Sequence, residues 1–113
     1  MQESDLVRLR HMLDSGREAR SYIAGHRRAD LAHDRMLVHA LVRCIEIIGE
    51  AASRTSAECR AETATIPWTD IVGMRNRLIH AYFDIDLDLL WDTVQDDLAP
   101  LIAQLEKIVP PLE

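Results

Sequence analysis

The chain has 113 residues, of which 48% are hydrophobic and 28% are charged, and its formal net charge is −6. This length supports one domain with a single core, and this composition excludes a disordered chain. No apolar run approaches the ~20 residues that span a bilayer, and the acidic start lacks the apolar stretch of a secretory signal. We therefore expect a single domain over residues 1–113, in the cytoplasm and without membrane contact.

The negative charge is concentrated at the end of the chain. Residues 1–80 carry 12 arginines against 11 acidic residues, whereas residues 81–113 carry one lysine against eight acidic residues. The chain as a whole therefore lacks the basic surplus that is typical of a nucleic-acid-binding protein. Contact with nucleic acid requires a local arginine-lined surface, which a second copy of the chain would enlarge.

The cysteines and histidines predict no metal site. Cys44 and Cys59 form no C-x-x-C pair and have no histidines at zinc-ligand spacing. Cys44 lies in an apolar helical pattern and is interpreted as a buried thiol in a reducing compartment. His33 and His39 are out of phase on a helix, and no E-x-x-H pair occurs. We therefore expect neither a metal nor a cofactor.

Hydrophobic periodicity predicts an all-α fold, an antiparallel bundle of four to five helices. The first helix is predicted over about residues 4–24. Ser4 or Asp5 is expected to cap it, and Gly25 to end it. The second, over about residues 30–54, is more apolar and is predicted to be the central helix. Since glycine costs about 1 kcal/mol in a helix interior, Gly49 predicts close approach of another helix, from this chain or from a partner.

A third long helix is predicted to begin at Pro67, after an irregular stretch over residues 55–66 that has one short turn following Ser56. Proline suits the first position of a helix, which is why the helix is predicted to begin there. Thr65, two residues earlier, is the predicted cap. The helix is predicted to end near residues 81–84.

The last helix is predicted over about residues 86–108, with a kink at Pro100. Three aspartates precede or begin it, at Asp84, Asp86 and Asp88. This spacing is more typical of a turn and a helix cap than of a metal site.

The largest local concentration of reactive side chains lies at the end of the third helix, at Arg75, Asn76, His80 and Tyr82. Arg75 and His80 are about 140° apart on an ideal helix and do not share a face, whereas Asn76 and His80, at i and i+4, do. Arg75 and His80 can meet one substrate in two ways. Either the helix loosens just before His80, or two copies of the chain face each other across a two-fold axis.

This set of residues fits metal-independent cleavage of RNA. A histidine near its unperturbed pKa of about 6.5 can take the 2′-hydroxyl proton or protonate the leaving oxygen. Arg75 is expected to stabilise the charge that builds on the phosphate oxygens. Asn76 is expected to orient His80 or to donate to phosphate, and Tyr82 to stack on a base or to contact phosphate.

The residues by themselves also leave a structural interpretation open. An arginine and a histidine near a helix end often cap its carbonyls and interact with the helix macrodipole. Trp68 and Trp91 are interpreted as core anchors, and the remaining histidines as surface or boundary residues.

Residues 75–82 read R-N-R-L-I-H-A-Y, an R-x4-H-x-Y pattern, and resemble the active-site motif of HEPN-domain proteins, specifically the HepT-like toxins of prokaryotic toxin–antitoxin pairs. The resemblance covers nearly the whole chain. It extends to I-I-G-E-A-A at residues 47–52, I-P-W at 66–68, I-V-G-M-R-N at 71–76 and F-D-I-D at 83–86, with Trp91.

The resemblance implies a homodimeric, helical-bundle endoribonuclease with its cleft at the dimer interface. The catalytic arginine and histidine of the family fall on Arg75 and His80, and its tyrosine falls on Tyr82. It also implies a cognate antitoxin, a minimal nucleotidyltransferase, which in some members transfers AMP groups to that tyrosine. Phosphates on Tyr82 would place negative charge beside Arg75 and His80, where an RNA phosphate must bind.

Two other functions remain as alternatives. In the first alternative, the chain is a non-catalytic helical partner, whose acidic segment over residues 84–97 docks the nucleotidyltransferase. In the second, the chain binds a nucleotide in the dimer cleft.

Overall fold

The computed structural model describes residues 1–81 and 84–111, with the backbone alone for residues 80 and 81. The elements follow in the order α1 (Glu3–Ile23), a 3-10 helix (Arg28–Ala32), α2 (Arg35–Ser53), α3 (Ala57–Glu62), α4 (Trp68–Val72), α5 (Met74–Leu78), β1 (Ile79–Ala81), β2 (Asp84–Ile85), α6 (Leu87–Asp92), a π-helical turn (Thr93–Asp97) and α7 (Leu98–Ile108). The mainly helical class is confirmed. The short antiparallel pair of β1 and β2 was not predicted.

The central position predicted for the second helix is confirmed, because α2 contacts α1, α4, α5 and α6. Its apolar stripe is buried, with Leu41, Ile45 and Ile48 at 0% exposure, and burial of each such side chain stabilises the fold by about 1.5–3 kcal/mol. The helix begins later than predicted, because Asp34 caps it by accepting from Leu37 N at 3.0 Å. No helix in the described part of the chain combines the length and apolar character needed to cross a membrane.

Asp5 does not cap α1, contrary to the prediction, and neither does the serine before it. Its carboxylate is buried and accepts hydrogen bonds from the Ser56 backbone N–H at 2.9 Å and from the Ser56 hydroxyl at 2.7 Å. The same hydroxyl accepts from Cys59 N and so caps α3, which is the short turn predicted after Ser56. Asp5 therefore links the start of α1 to the start of α3.

We expect Asp5→Asn to lower the Tm at pH 7, and the difference from wild type to shrink as the pH falls below about 4. The two Ser56 hydrogen bonds hold the pKa of Asp5 below its ordinary value of 3.8. Since the folded state has the lower pKa, this stabilisation is present above the unfolded pKa and is lost as the pH falls through the folded pKa. Thermal melts against pH measure the effect, and Asp14→Asn, an exposed carboxylate on the same helix, is the control. A constant difference at every pH would contradict it.

Gly25 ends α1 as predicted, with a φ of 80° that other residues rarely adopt. A Cβ at this position would meet nothing within 4 Å. We therefore expect Gly25→Ala to cost about 1 kcal/mol through the backbone alone, which lowers the Tm by ~4 °C. Gly49→Ala is the control, because a Cβ there lies in ordinary contact with the Ile71 carbonyl oxygen at 3.7 Å, and alanine inside α2 is expected to keep or raise the Tm. A Tm of Gly25→Ala equal to wild type would contradict the expectation.

The third helix is shorter than predicted and ends at Leu78. It is divided at Gly73 into α4 and α5, although Gly73 N still donates to Thr69 O at 3.1 Å. Thr65 does not cap it, since Pro67 is the cap position and no side chain caps it. The backbone becomes extended at Ile79, because the Leu78 carbonyl accepts from Asp86 N at 2.9 Å instead of from the next helical turn. The predicted end at residues 81–84 is therefore wrong.

The last predicted helix consists of α6 and α7 with the π-helical turn between them. Pro100 lies in the first turn of α7 and lacks the N–H that would bond to the preceding turn. The π-helical turn receives a hydrogen bond from α1 instead, because the Arg20 guanidinium donates to the Gln95 carbonyl at 2.6 Å. At the start of α6, Asp86 caps the helix by accepting from Leu89 N at 3.0 Å, which confirms the predicted cap.

The burial predicted for Cys44 and for the two tryptophans is confirmed. Cys44 is a buried free thiol, and burial raises its pKa to about 11. Cys59, whose burial was not predicted, is also a buried free thiol. Trp68 and Trp91 lie in the core, each at 8% exposure. The Trp68 indole N–H donates to the Thr63 carbonyl at 3.3 Å, so its polar atom is satisfied in the core.

Candidate functional site

Arg75 lies on the exposed side of α5, which packs against α2. Its Nε is 3.3 Å from Glu46 Oε2 of α2, and both side chains are partly open to solvent, at 47% and 35% exposure. A guanidinium bound through Nε still has N–H groups on its terminal nitrogens, which can donate to two oxygens of a phosphate.

A surface groove of about 450 Å³ lies where α2 meets α4 and α5. We call it the Arg75 groove. Its polar lining consists of Arg43, Glu46, Glu50, Ser53, Arg75 and Asn76. Gly49 forms part of its floor, where the ideal Cβ would lie 3.7 Å from the Ile71 carbonyl oxygen. α4 of this chain therefore lies against Gly49, but at an ordinary van der Waals distance that an alanine would also fit. A longer side chain at this position would fill the groove.

The backbone of His80 lies in β1, two residues beyond the end of α5. The angle of about 140° between Arg75 and His80 assumed that both lie on one continuous helix. Since His80 lies beyond the end of α5, that angle does not describe their relation. The predicted i, i+4 relation between Asn76 and His80 on one helix face is wrong for the same reason. Of the two alternatives, loosening of the helix before His80 is the one that this chain adopts by itself.

The structure brings Arg75 and Asn76 together in the Arg75 groove. Tyr82 lies outside the described residues, and only the backbone of His80 is described. Glu46 and Arg43, which the sequence interpretation did not single out, line the same groove. The helical pattern of the sequence could have identified them, because both fall on the polar side of α2, opposite the buried stripe of Leu41, Ile45 and Ile48.

Arg77 lies on the other side of the helix and faces a different groove. That groove, of about 490 Å³, lies between α4–α5 and α7, and it also includes Asp70 and Asp97. The Arg77 guanidinium donates to the Asp70 carbonyl at 2.8 Å, which ties α5 to α4. The two neighbouring arginines therefore have separate surroundings, and Arg77 provides a matched control for Arg75.

Within the described residues, no group of three or more histidine, cysteine or acidic side chains is arranged to hold a metal ion. The aspartates at the start of α6 serve the fold instead. Asp86 caps the helix, and Asp88 pairs with Arg28 at 3.2 Å.

Comparison with known proteins gives matches over most of the chain. A family model described as "Ribonuclease HepT-like" matches residues 12–108. The chain is 38% identical over 80 residues to "Putative RNase TTE0752" of Caldanaerobacter subterraneus subsp. tengcongensis, a match that covers 71% of each chain. It is also 38% identical over 79 residues to "Probable ribonuclease HepT" of Thermococcus cleftensis, which covers 70% of this chain and 72% of the relative. No solved structure gave a significant match.

Proposed function

Because the chain belongs to the HepT-like ribonuclease family, we propose that it is the endoribonuclease toxin of a toxin–antitoxin pair, with Arg75 and His80 as its catalytic residues. The observation that carries this proposal is the position of Arg75. Its guanidinium stands in an open groove, bound by Glu46 through Nε, and α5 ends three residues later. The phosphate-binding residue is thus held in place next to the point where the chain leaves the helix.

In the proposed reaction, His80 takes the proton of the ribose 2′-hydroxyl or returns a proton to the leaving 5′-oxygen. The 2′-oxygen forms a new bond to phosphorus as the bond to the 5′-oxygen breaks, which leaves a 2′,3′-cyclic phosphate and a 5′-hydroxyl. Arg75 stabilises the charge that builds on the phosphate oxygens, and Asn76 beside it supports phosphate binding or the orientation of His80. No step uses a metal ion.

The proposed functional unit is a homodimer, whose two-fold axis would bring a second polar groove next to the first. Its proposed partner is a minimal nucleotidyltransferase antitoxin. Tyr82 is the proposed acceptor of AMP from this partner, because phosphates two residues after His80 would compete with an RNA phosphate for Arg75. Intact mass of the chain after coexpression with the antitoxin, for wild type and for Tyr82→Phe, tests this regulation.

The purified wild-type chain is expected to cleave single-stranded RNA in the presence of EDTA and to leave cyclic phosphate ends. The double variant Arg75→Ala/His80→Ala, purified in the same way, controls for contaminating ribonucleases. If wild type and double variant cleave at the same rate, or neither cleaves under any condition, the proposal of a catalytic toxin fails. A wild-type chain that cleaves only after addition of a divalent cation would refute metal independence.

A further inference from the structure

We propose that a second groove, between α1 and α2, binds the phosphate backbone of single-stranded RNA and continues the Arg75 groove across α2. This α1–α2 groove has a volume of about 230 Å³. Its polar and charged lining consists of Arg8 and His11 from α1, and of Arg43, Glu50 and Arg54 at α2. The inference rests on the proposed function in one respect only, since it takes RNA as the ligand.

The two grooves adjoin each other at α2, where they share two lining residues. Arg43 and Glu50 of α2 belong to both. A chain molecule that lies in the Arg75 groove therefore meets Arg43 as it crosses α2 into the α1–α2 groove. The lining of the α1–α2 groove extends along α2 from Arg43 to Arg54, eleven residues apart, or about 16 Å at the rise of an α-helix. That length accommodates several successive phosphates.

The charge along this path is positive, although the chain as a whole carries −6. Four arginines line the two grooves, against two glutamates. Glu50 pairs with Arg54 at 2.7 Å, and Glu46 pairs with Arg75 at 3.3 Å. With the residues whose side chains the structure describes, Arg8 and Arg43 make no hydrogen bond or ion pair. They are therefore the cations most readily available to a polyanion.

The ligand that fits this surface is a flexible, single-stranded backbone. Both grooves are open to solvent, and among the residues whose side chains the structure describes, His11 is the one ring in their lining on which a base would stack. Contacts by arginine to phosphate carry no sequence information, so this surface is expected to add affinity and length dependence without sequence preference.

Binding of labelled single-stranded RNA tests the proposal, with every protein carrying His80→Ala so that the RNA stays intact. Replacing two arginines by Arg8→Gln/Arg43→Gln removes two phosphate contacts. This is expected to weaken binding of a 12-nucleotide RNA ~25-fold at 0.1 M salt and to reduce the slope of log Kd against log salt by about 1.4. The matched control is Arg17→Gln/Arg35→Gln, which makes the same charge change at exposed positions outside the two grooves. Its Kd is expected to stay within about twofold of the parent, because distant exposed charges are screened.

The length of the RNA provides a second measurement. The parent is expected to bind the 12-nucleotide RNA more tightly than a 3-nucleotide RNA, and the Arg8→Gln/Arg43→Gln variant to lose most of that preference. Equal Kd values for this variant and its control would overturn the proposal. So would a change in sedimentation mass without a change in RNA binding, since the groove would then hold a second copy of the chain.

These outcomes are separate from those that test catalysis. A wild-type chain that binds RNA in this way and does not cleave it would refute the proposed nuclease and support the groove assignment. An active nuclease whose RNA affinity is indifferent to Arg8 and Arg43 would refute the groove assignment alone.

Discussion

Replacing His80 with alanine is expected to slow RNA cleavage by about 10²–10⁴-fold, the range found for loss of a general acid or base. The residue lies two positions beyond the end of α5, so its backbone is close in the chain to the helix that carries Arg75. The same variant is expected to abolish growth arrest when the chain is expressed without an antitoxin. Initial rates on a fluorescent RNA, measured in EDTA, give the size of the loss.

A histidine outside this segment is the control for that measurement. His33 is exposed at the end of the 3-10 helix, and His33→Ala is expected to cleave RNA at the wild-type rate. Thermal melts of both variants show whether the fold is intact. A folded His80→Ala protein that cleaves RNA and arrests growth like wild type would remove His80 from the proposed mechanism.

Arg75→Ala is expected to reduce kcat/KM by about 10²–10³-fold, the cost of removing one group that stabilises charge in a transition state. Arg75→Lys is expected to recover only part of this loss, because an ammonium keeps the charge but cannot donate to two phosphate oxygens in the planar arrangement of a guanidinium. Steady-state kinetics of the two variants separate the effect of the charge from that of the geometry.

Arg77→Ala is the matched control for Arg75→Ala. It lies two residues away on the same helix and is also exposed, but it faces the groove on the α7 side and donates to the Asp70 carbonyl. We expect its kcat/KM to remain within about threefold of wild type, since surface substitutions away from a site change little. Equal losses in both variants would mean that α5 contributes general positive charge and that Arg75 has no specific role.

The helices that depend on local patterns were predicted from the sequence to within a few residues. The stripe of α2 is regular enough to show which residues are buried, and Gly25 supplies the left-handed residue that ends α1. The burial of Cys44, Trp68 and Trp91 also followed from their positions in apolar patterns. These features depend on neighbours within one or two helical turns, which a sequence pattern contains.

The end of the third helix was not predictable in the same way. Residues 79–99 contain neither proline nor glycine, so no helix-breaking residue ends the helix at Leu78. The helix stops because the Leu78 carbonyl bonds to Asp86 N, eight residues away, and the chain forms the β1–β2 pair. This long-range bond replaces the helical one and changes the relation of His80 to Arg75.

The sequence by itself determined the helical class, the central α2 and, through the R-x4-H-x-Y pattern, the family to which the chain was compared. Only the tertiary structure decided which residues surround Arg75. The Glu46–Arg75 pair joins residues 29 positions apart, and the Asp5–Ser56 pair joins residues 51 positions apart. Such contacts form because packed helices bring distant polar groups together and their hydrogen bonds must then be satisfied. A one-dimensional pattern contains the candidates for these pairs, but only the packing of α1 with α3 and of α2 with α5 selects among them.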